Sequence, residues 1–160
     1  MREYQSAKGA HVKLGFQGAK GEKEHKGSFG SKVIDIAIIH EFGAHGAGKR
    51  HNVMIPERSF LRSTFDRTVN ARNEIVKGLI GKILIGSMTV ERALDQMGVR
   101  GVSDIKTTIQ KSIGIKPLNP STIKAKGSSV PLIDTGQLIN SIQYQKVMQS
   151  KGGAVGRPHD

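Results

Sequence analysis

Residues 36 to 62 read IAIIHEFGAHGAGKRHNVMIPERSFLR and gather the side chains best suited to chemistry in this chain. Three of the six histidines, His40, His45 and His51, lie there, with Glu41 beside the first and a glycine-rich run ending in Gly48-Lys49. Two chemistries are suggested, zinc-assisted hydrolysis and phosphate binding. The zinc pattern H-E-x-x-H needs two histidines four apart on one helix face. Here His40 and His45 are five apart, which turns the imidazoles roughly 140° from each other, against roughly 40° for a spacing of four. Gly43 favours a helix C-terminus and ends the helix before His45. No cysteine is present, and no second carboxylate stands at ligand spacing. The pattern predicts that His40 ends a short helix and that His45 and His51 lie in a loop.

The phosphate pattern fails differently. Gly43 to Lys49 matches G-x-x-x-x-G-K, but Arg50 stands where a Ser or Thr should hold Mg²⁺. Such a loop must follow a buried strand and open a helix, so that backbone N–H groups face the phosphates. The preceding residues read as helix, and Pro56 is badly placed within the first turns of a following one. Neither catalytic pattern is complete. No catalytic, cofactor-binding or metal-binding residue is assigned, and no enzyme activity or cofactor is expected.

These residues must be positioned by the rest of a chain of 160 residues, enough for one domain with a real core. The expected division is a single domain over 1–148 and a Gly/Lys-rich tail over 149–160. The lack of cysteine excludes thiol catalysis and disulfides and fits a reducing compartment. No apolar run approaches the roughly 20 residues of a membrane span, and no secretory signal is read at the N-terminus, so no membrane contact is expected. The formal net charge is +12, which points to nucleic acid or to acidic protein surfaces as partners. Contact of either kind should weaken as salt rises. Aromatic residues make up only 4% of the chain, which argues against stacking on single-stranded bases.

Along the chain, His11 to Phe16 alternate, with Val12, Leu14 and Phe16 on one face of a half-buried strand. Residues 18–31 carry almost nothing apolar except Phe29 and read as a long loop. Val33 to Phe42 reads as a short buried helix closed by Gly43. The strongest helical period spans 59–86, through Leu61, Phe65, Val69, Val76, Leu79 and Ile83. A second follows the Gly86-Ser87 break, through Val90, Leu94, Met97, Gly101, Ile105 and Ile109, with Thr89 or Ser87 as its cap. Gly98 and Gly101 are expected to face another helix closely or to mark a kink. From Gly114 to Pro131 the chain reads as a connector. Asp134-Thr135-Gly136-Gln137 reads as a capping box, with Asp134 accepting from backbone N–H groups and Gln137 reaching back, ahead of a short helix containing Leu138, Ile139 and Ile142. Gln143 to Val147 reads as an edge strand. The fold class is α+β, a small sheet packed with a long two-helix hairpin.

Two segments carry a resemblance. Glu41-Phe42-Gly43 followed by Ile55-Pro56-Glu57-Arg58-Ser59-Phe60-Leu61-Arg62 resembles an "EFG … IP-R-FLR" signature. Pro131-Leu132-Ile133-Asp134-Thr135-Gly136-Gln137-Leu138 resembles a "PLIDTG-L" signature. In this order and spacing they are similar to the neck and tail-completion proteins of long-tailed bacteriophages, also called virion morphogenesis or minor tail proteins, over roughly residues 10 to 148. The resemblance implies a structural virion protein, assembled in the bacterial cytoplasm, that forms a homo-oligomeric ring of 6 or 12 copies. Its implied neighbours are other neck, connector, tail-tube or terminator proteins, with non-specific contact to DNA in the channel. Ser59 departs from the pattern, where a second proline is common, which implies a less rigid loop there. Glu41, Arg58 and Arg62 are expected to pair at the loop-to-helix junction or else to be ordinary surface charges. Phe42, Phe60 and Leu61 are expected in the core. The 18–31 and 43–52 loops and the tail, poor in core residues, are expected to reach neighbouring subunits. The rivals are a basic nucleic-acid-binding module, with its lysines on one face of the helix pair, and a metal-dependent hydrolase using His40, Glu41 and His45.

Overall fold

A computed structural model describes residues 7–26, 30–47 and 53–148. Phe29, the histidine at 51, the Gly48-Lys49-Arg50 end of the glycine-rich run and the 149–160 tail lie outside them. The alternating segment forms strand β1 (His11–Gly15), and the chain ends its described part in β4 (Gln143–Val147). These two pair antiparallel, His11 opposite Val147 and Leu14 opposite Tyr144. Between them come helices α1 (Gly18–Glu22) and α2 (Val33–Phe42), and a hairpin of β2 (Ala44–Ala47) and β3 (Val53–Ile55). Next come α3 (Arg62–Arg67), α4 (Val69–Leu84) and α5 (Val90–Gln110). The short helices α6 (Pro120–Lys126) and α7 (Gln137–Asn140) lead back to β4. The α+β expectation holds, with two separate two-stranded sheets in place of one.

Helix α5 is the spine. Thr89 caps it, its side chain accepting from Arg92 N at 3.3 Å. The β1–β4 sheet lies across α5, and the two long-helix glycines mark where. A Cβ at Gly98 would sit 2.2 Å from the Tyr144 ring, and one at Gly101 would sit 2.4 Å from Leu14. The expected close approach is therefore to a sheet, not to a second helix, and α5 runs unbroken through both positions. A polar clasp fixes the same contact from its edge. Tyr144 Oη donates to Asp95 at 3.0 Å, and Lys146 Nζ reaches Glu91 at 2.8 Å and Asp95 at 3.0 Å. Hydrogen bonds from Lys146 and then Tyr144 hold the Asp95 carboxyl below its ordinary value.

The first long helical period is split in two at Thr68. Ser63, Thr64 and Thr68 each turn a hydroxyl back onto the carbonyl four residues earlier, Thr68 onto Thr64 O at 2.8 Å. Such back-bonding bends helices without breaking their period, so the apolar spacing survived while the axis did not. The core gathers Phe16, Val33, Phe60, Ile105, Ile109, Leu132 and Leu138, with Phe16 and Phe60 edge to face at 6.1 Å. Thr108, fully buried, is satisfied by Thr64 and Arg67, each at 2.6 Å.

Three segments read as irregular are structured. Residues 18–31 include α1, and Gln137 holds the stretch after it, donating to Glu24 O at 2.7 Å and accepting from Lys26 N at 2.9 Å. Its described part is thus bound to its own chain. The 43–52 segment is a hairpin arm, with His45 on β2 rather than in a loop. The 114–131 connector contains α6, opened by Pro120 and closed by Gly127 at φ +69°, a Pro-start, Gly-stop helix.

Candidate functional site

The signature residues converge on one carboxylate. Val33, Ala37 and Glu41 are the buried residues of α2, spaced four apart on one face. Glu41 is therefore carried inward, 3% exposed, at the point where the chain enters α3. Its Oε2 accepts from Phe60 N at 2.8 Å and Leu61 N at 2.9 Å. Its Oε1 accepts from Ser59 Oγ at 2.8 Å, Arg62 N at 2.9 Å and Arg62 Nε at 3.2 Å. A helix start leaves its first N–H groups without partners, and a carboxylate there meets both the donors and the positive end of the helix dipole. Glu41 does for α3 what a local cap residue does for other helices. It does so from another element.

Burial pushes the Glu41 carboxyl up, but the hydrogen bonds from Arg62, Leu61, Ser59 and Phe60 outweigh it and hold the group below its ordinary value. The expected surface ion pairs are thus replaced by a buried anion with five donors. Arg62 alone pairs with it, also reaching Glu57 at 2.6 Å and lying over the Phe42 ring at 4.6 Å. Arg58 is buried elsewhere. Its Nε donates to Lys116 O at 3.1 Å and its Nη2 to Pro117 O at 3.5 Å, tying the junction to the segment before α6. Burial lowers its pKa. Ser59 does not loosen the loop, because its hydroxyl is one of the Glu41 donors.

The signature glycine Gly43 closes α2 at φ +75°, ψ 170°, a region essentially restricted to glycine. A Cβ there would also sit 2.9 Å from Glu57 N and Ile55 O. Ile55 and Pro56 supply the strand end and turn that pass over it. Phe60 is fully buried and Leu61 packs against the core, as expected. Phe42 is not in the core. It is 60% exposed, because the face that carries Glu41 inward turns its neighbour outward.

The second signature enters the same core from the other side. Pro131 and Leu132 are buried, Leu132 at φ +62°, and Leu138 packs in the cluster with Phe60. A leucine at positive φ carries backbone strain, offset here by burial. The capping box does not form. Asp134 is exposed, the N-cap position falls on Gly136 at φ +74°, and Gln137 N donates to Thr135 Oγ1 at 3.3 Å. Gln137 reaches the 24–26 backbone rather than its own cap. The misplaced cap has a simple cause: Thr135 and Gly136 supply the turn that Asp134 was expected to make.

Beside this junction runs an apolar trough with no counterpart among the expected features. Three cavities follow β1 in order. One of about 450 Å³ lies between His11–Val12 and α4, with Ile80 and Ile83 on its far wall. One of about 390 Å³ lies between Val12–Leu14 and the start of α3, with Leu61 and Phe65. One of about 290 Å³ lies between Leu14–Phe16 and α2, with Ile34, Ile38 and Phe42. Successive cavities share Leu14 and Leu61. No β4 residue lines any of them, so the trough lies on the edge of β1 away from its partner strand. Sequence periodicity missed this because Phe65 and Ile80 fit a helical stripe whose half-covered state no local pattern records.

For chemistry, the arrangement offers little. The Glu41 oxygens are taken by protein donors, His40 and His45 sit on different elements, and among the described residues no three ligand-type side chains gather. No described helix is long and apolar enough to cross a membrane. The long helices α4 and α5 carry three lysines between them, Lys77, Lys82 and Lys106. The helix pair is therefore not the lysine-rich face a nucleic-acid-binding module was expected to show. Lys8, Lys13, Lys20, Lys23, Lys26 and Lys32 instead crowd the first described quarter of the chain. No protein-family model matches the chain, and neither do any curated protein or solved structure.

Proposed function

We propose that this chain is a structural virion protein of the bacteriophage neck, non-enzymatic, forming a homo-oligomeric ring at the head–tail junction. One observation carries the reading. The polar groups that the sequence offers for chemistry are spent inside the fold, whereas apolar side chains stand outward: Glu41 and Arg58 are buried, while Phe42, Met54, Phe65 and Ile80 are 60%, 66%, 54% and 49% exposed. A contiguous exposed apolar surface on a soluble chain marks a place where another protein sits. The resemblance of the Glu41–Arg62 and Pro131–Leu138 segments to neck and tail-completion proteins supplies the context, and both segments shape the ground on which that surface rests.

In this reading the junction is a brace. Glu41 fixes where α3 leaves α2, so the walls of the trough keep one spacing. The net charge of +12 serves acidic rims of adjoining neck, connector or tail proteins and the DNA passing through the channel. Native mass spectrometry of the purified protein tests the ring. A single closed species of 6 or 12 copies is the expected result, and a monomer at micromolar concentration would contradict it.

A further inference from the structure

The trough and the hairpin arm are each incomplete, and they complement one another. Strand β1 is paired only with β4, and among the described residues no other backbone group bonds to it. Its outer N–H and C=O groups face the trough. An unpaired strand edge is a template for another extended segment. One laid beside β1 would direct alternate side chains into the three cavities, at about 7 Å per two residues.

The β2–β3 arm offers such a segment. Its strands pack chiefly on each other, and Val53 and Met54 are 50% and 66% exposed. Neighbouring residues of a strand point to opposite faces, so exposure of both means the arm stands clear of its own core. Charge argues for self-association at this place and not elsewhere. Two copies of a chain with net charge +12 repel, yet the described arm residues, AHGA and VMI, include no Lys, Arg, Asp or Glu. The charges at the trough rim are already paired, Arg62 with Glu41 and Glu57, and Arg100 with Asp104. Apolar surface and open backbone groups can meet there without stranding a charge.

We propose that the open edge of β1 and the apolar trough beside it receive the β2–β3 arm of a second copy of this chain, strand Val53–Ile55 adding alongside β1. The inference rests on the ring reading and names its contact. Main-chain hydrogen bonds hold the added strand, and Ile38, Phe42, Phe65 and Ile80 cover its side chains, the mode known as strand addition. Arm and trough are different surfaces, so the contact is head-to-tail. Such contacts close into rings when the rotation permits.

Two variants test it. Val53→Glu/Met54→Glu disables the arm, and Ile38→Glu/Phe65→Glu disables the trough; all four side chains are at least 50% exposed, and circular dichroism checks each fold. By size-exclusion chromatography with light scattering, each variant alone is expected as a monomer. An equimolar mixture is expected to form a 1:1 dimer and nothing larger, because one intact arm then meets one intact trough. A ring from either variant alone, or a mixture that stays monomeric, overturns the proposal while the wild-type ring keeps the neck reading standing. A wild type that never assembles overturns both. Because the chain lacks cysteine, a Met54→Cys/Phe65→Cys protein provides a second readout. Mild oxidation should give a ladder of linked copies, with neither single variant passing beyond a dimer. Absence of the ladder in an assembled ring likewise overturns the proposal.

Discussion

Glu41→Ala should lower the unfolding free energy by about 3 kcal/mol, the largest effect expected of any exchange at the signature residues. The carboxylate is 3% exposed and accepts from three consecutive backbone N–H groups at 2.8 to 2.9 Å. Removing it leaves those donors without a partner, and a buried orphan costs about 1–3 kcal/mol. Phe60 N is the most deeply buried of the three. Glu41→Gln keeps an acceptor oxygen but turns an amide NH₂ toward other donors, so it should lose less than Ala and still be clearly destabilised. Urea denaturation at pH 7 measures both. The pH dependence follows from the depressed Glu41 pKa. A folded-state pKa below the unfolded one means that the stabilisation is fully present above the unfolded value, about 4.3. It is lost as pH falls through the lower folded value. Wild type and Glu41→Gln should therefore converge in acid and diverge toward neutral pH. A constant gap between them would sink the capping account.

The next largest effect is expected where helix propensity gives the wrong sign. Gly98 and Gly78 both lie within helices, and by propensity alone either change to Ala gains about 1 kcal/mol. At Gly78 a methyl group would meet nothing within 4 Å, so Gly78→Ala should stabilise. At Gly98 the methyl would meet Tyr144 Cδ2 at 2.2 Å and Cγ at 2.4 Å. Those atoms are at the root of the ring, which cannot swing aside while Tyr144 stays paired opposite Leu14 and bonded to Asp95. Overpacking of this kind costs about 1–3 kcal/mol, enough to reverse the propensity gain, and Gly98→Val should cost more. Thermal melts of the two alanine variants should move in opposite directions. Two stabilised proteins would mean that the sheet does not rest on α5 at Gly98.

Much of the skeleton was legible because it is local. The bounded apolar run gave α2, the long period and Thr89 gave α5, and alternation gave β1 and β4. What escaped depends on residues distant in the chain. Glu41 finds its donors 18 to 21 positions later, and no spacing rule links them. The α2 run is apolar nearly all round, so the sequence could not show that Val33, Ala37 and Glu41 turn inward and Ile38 and Phe42 outward. Gly98 announced a close approach but not its partner, since a ring and a neighbouring helix demand the same small residue. The hairpin arm looked like a loop because its strands lack core residues. They have no core of their own chain to meet.

The most direct test of the neck assignment is electron microscopy of lysates from a phage whose copy of this gene has been deleted. DNA-filled heads beside separate, finished tails are the expected result. Normally joined particles would contradict it.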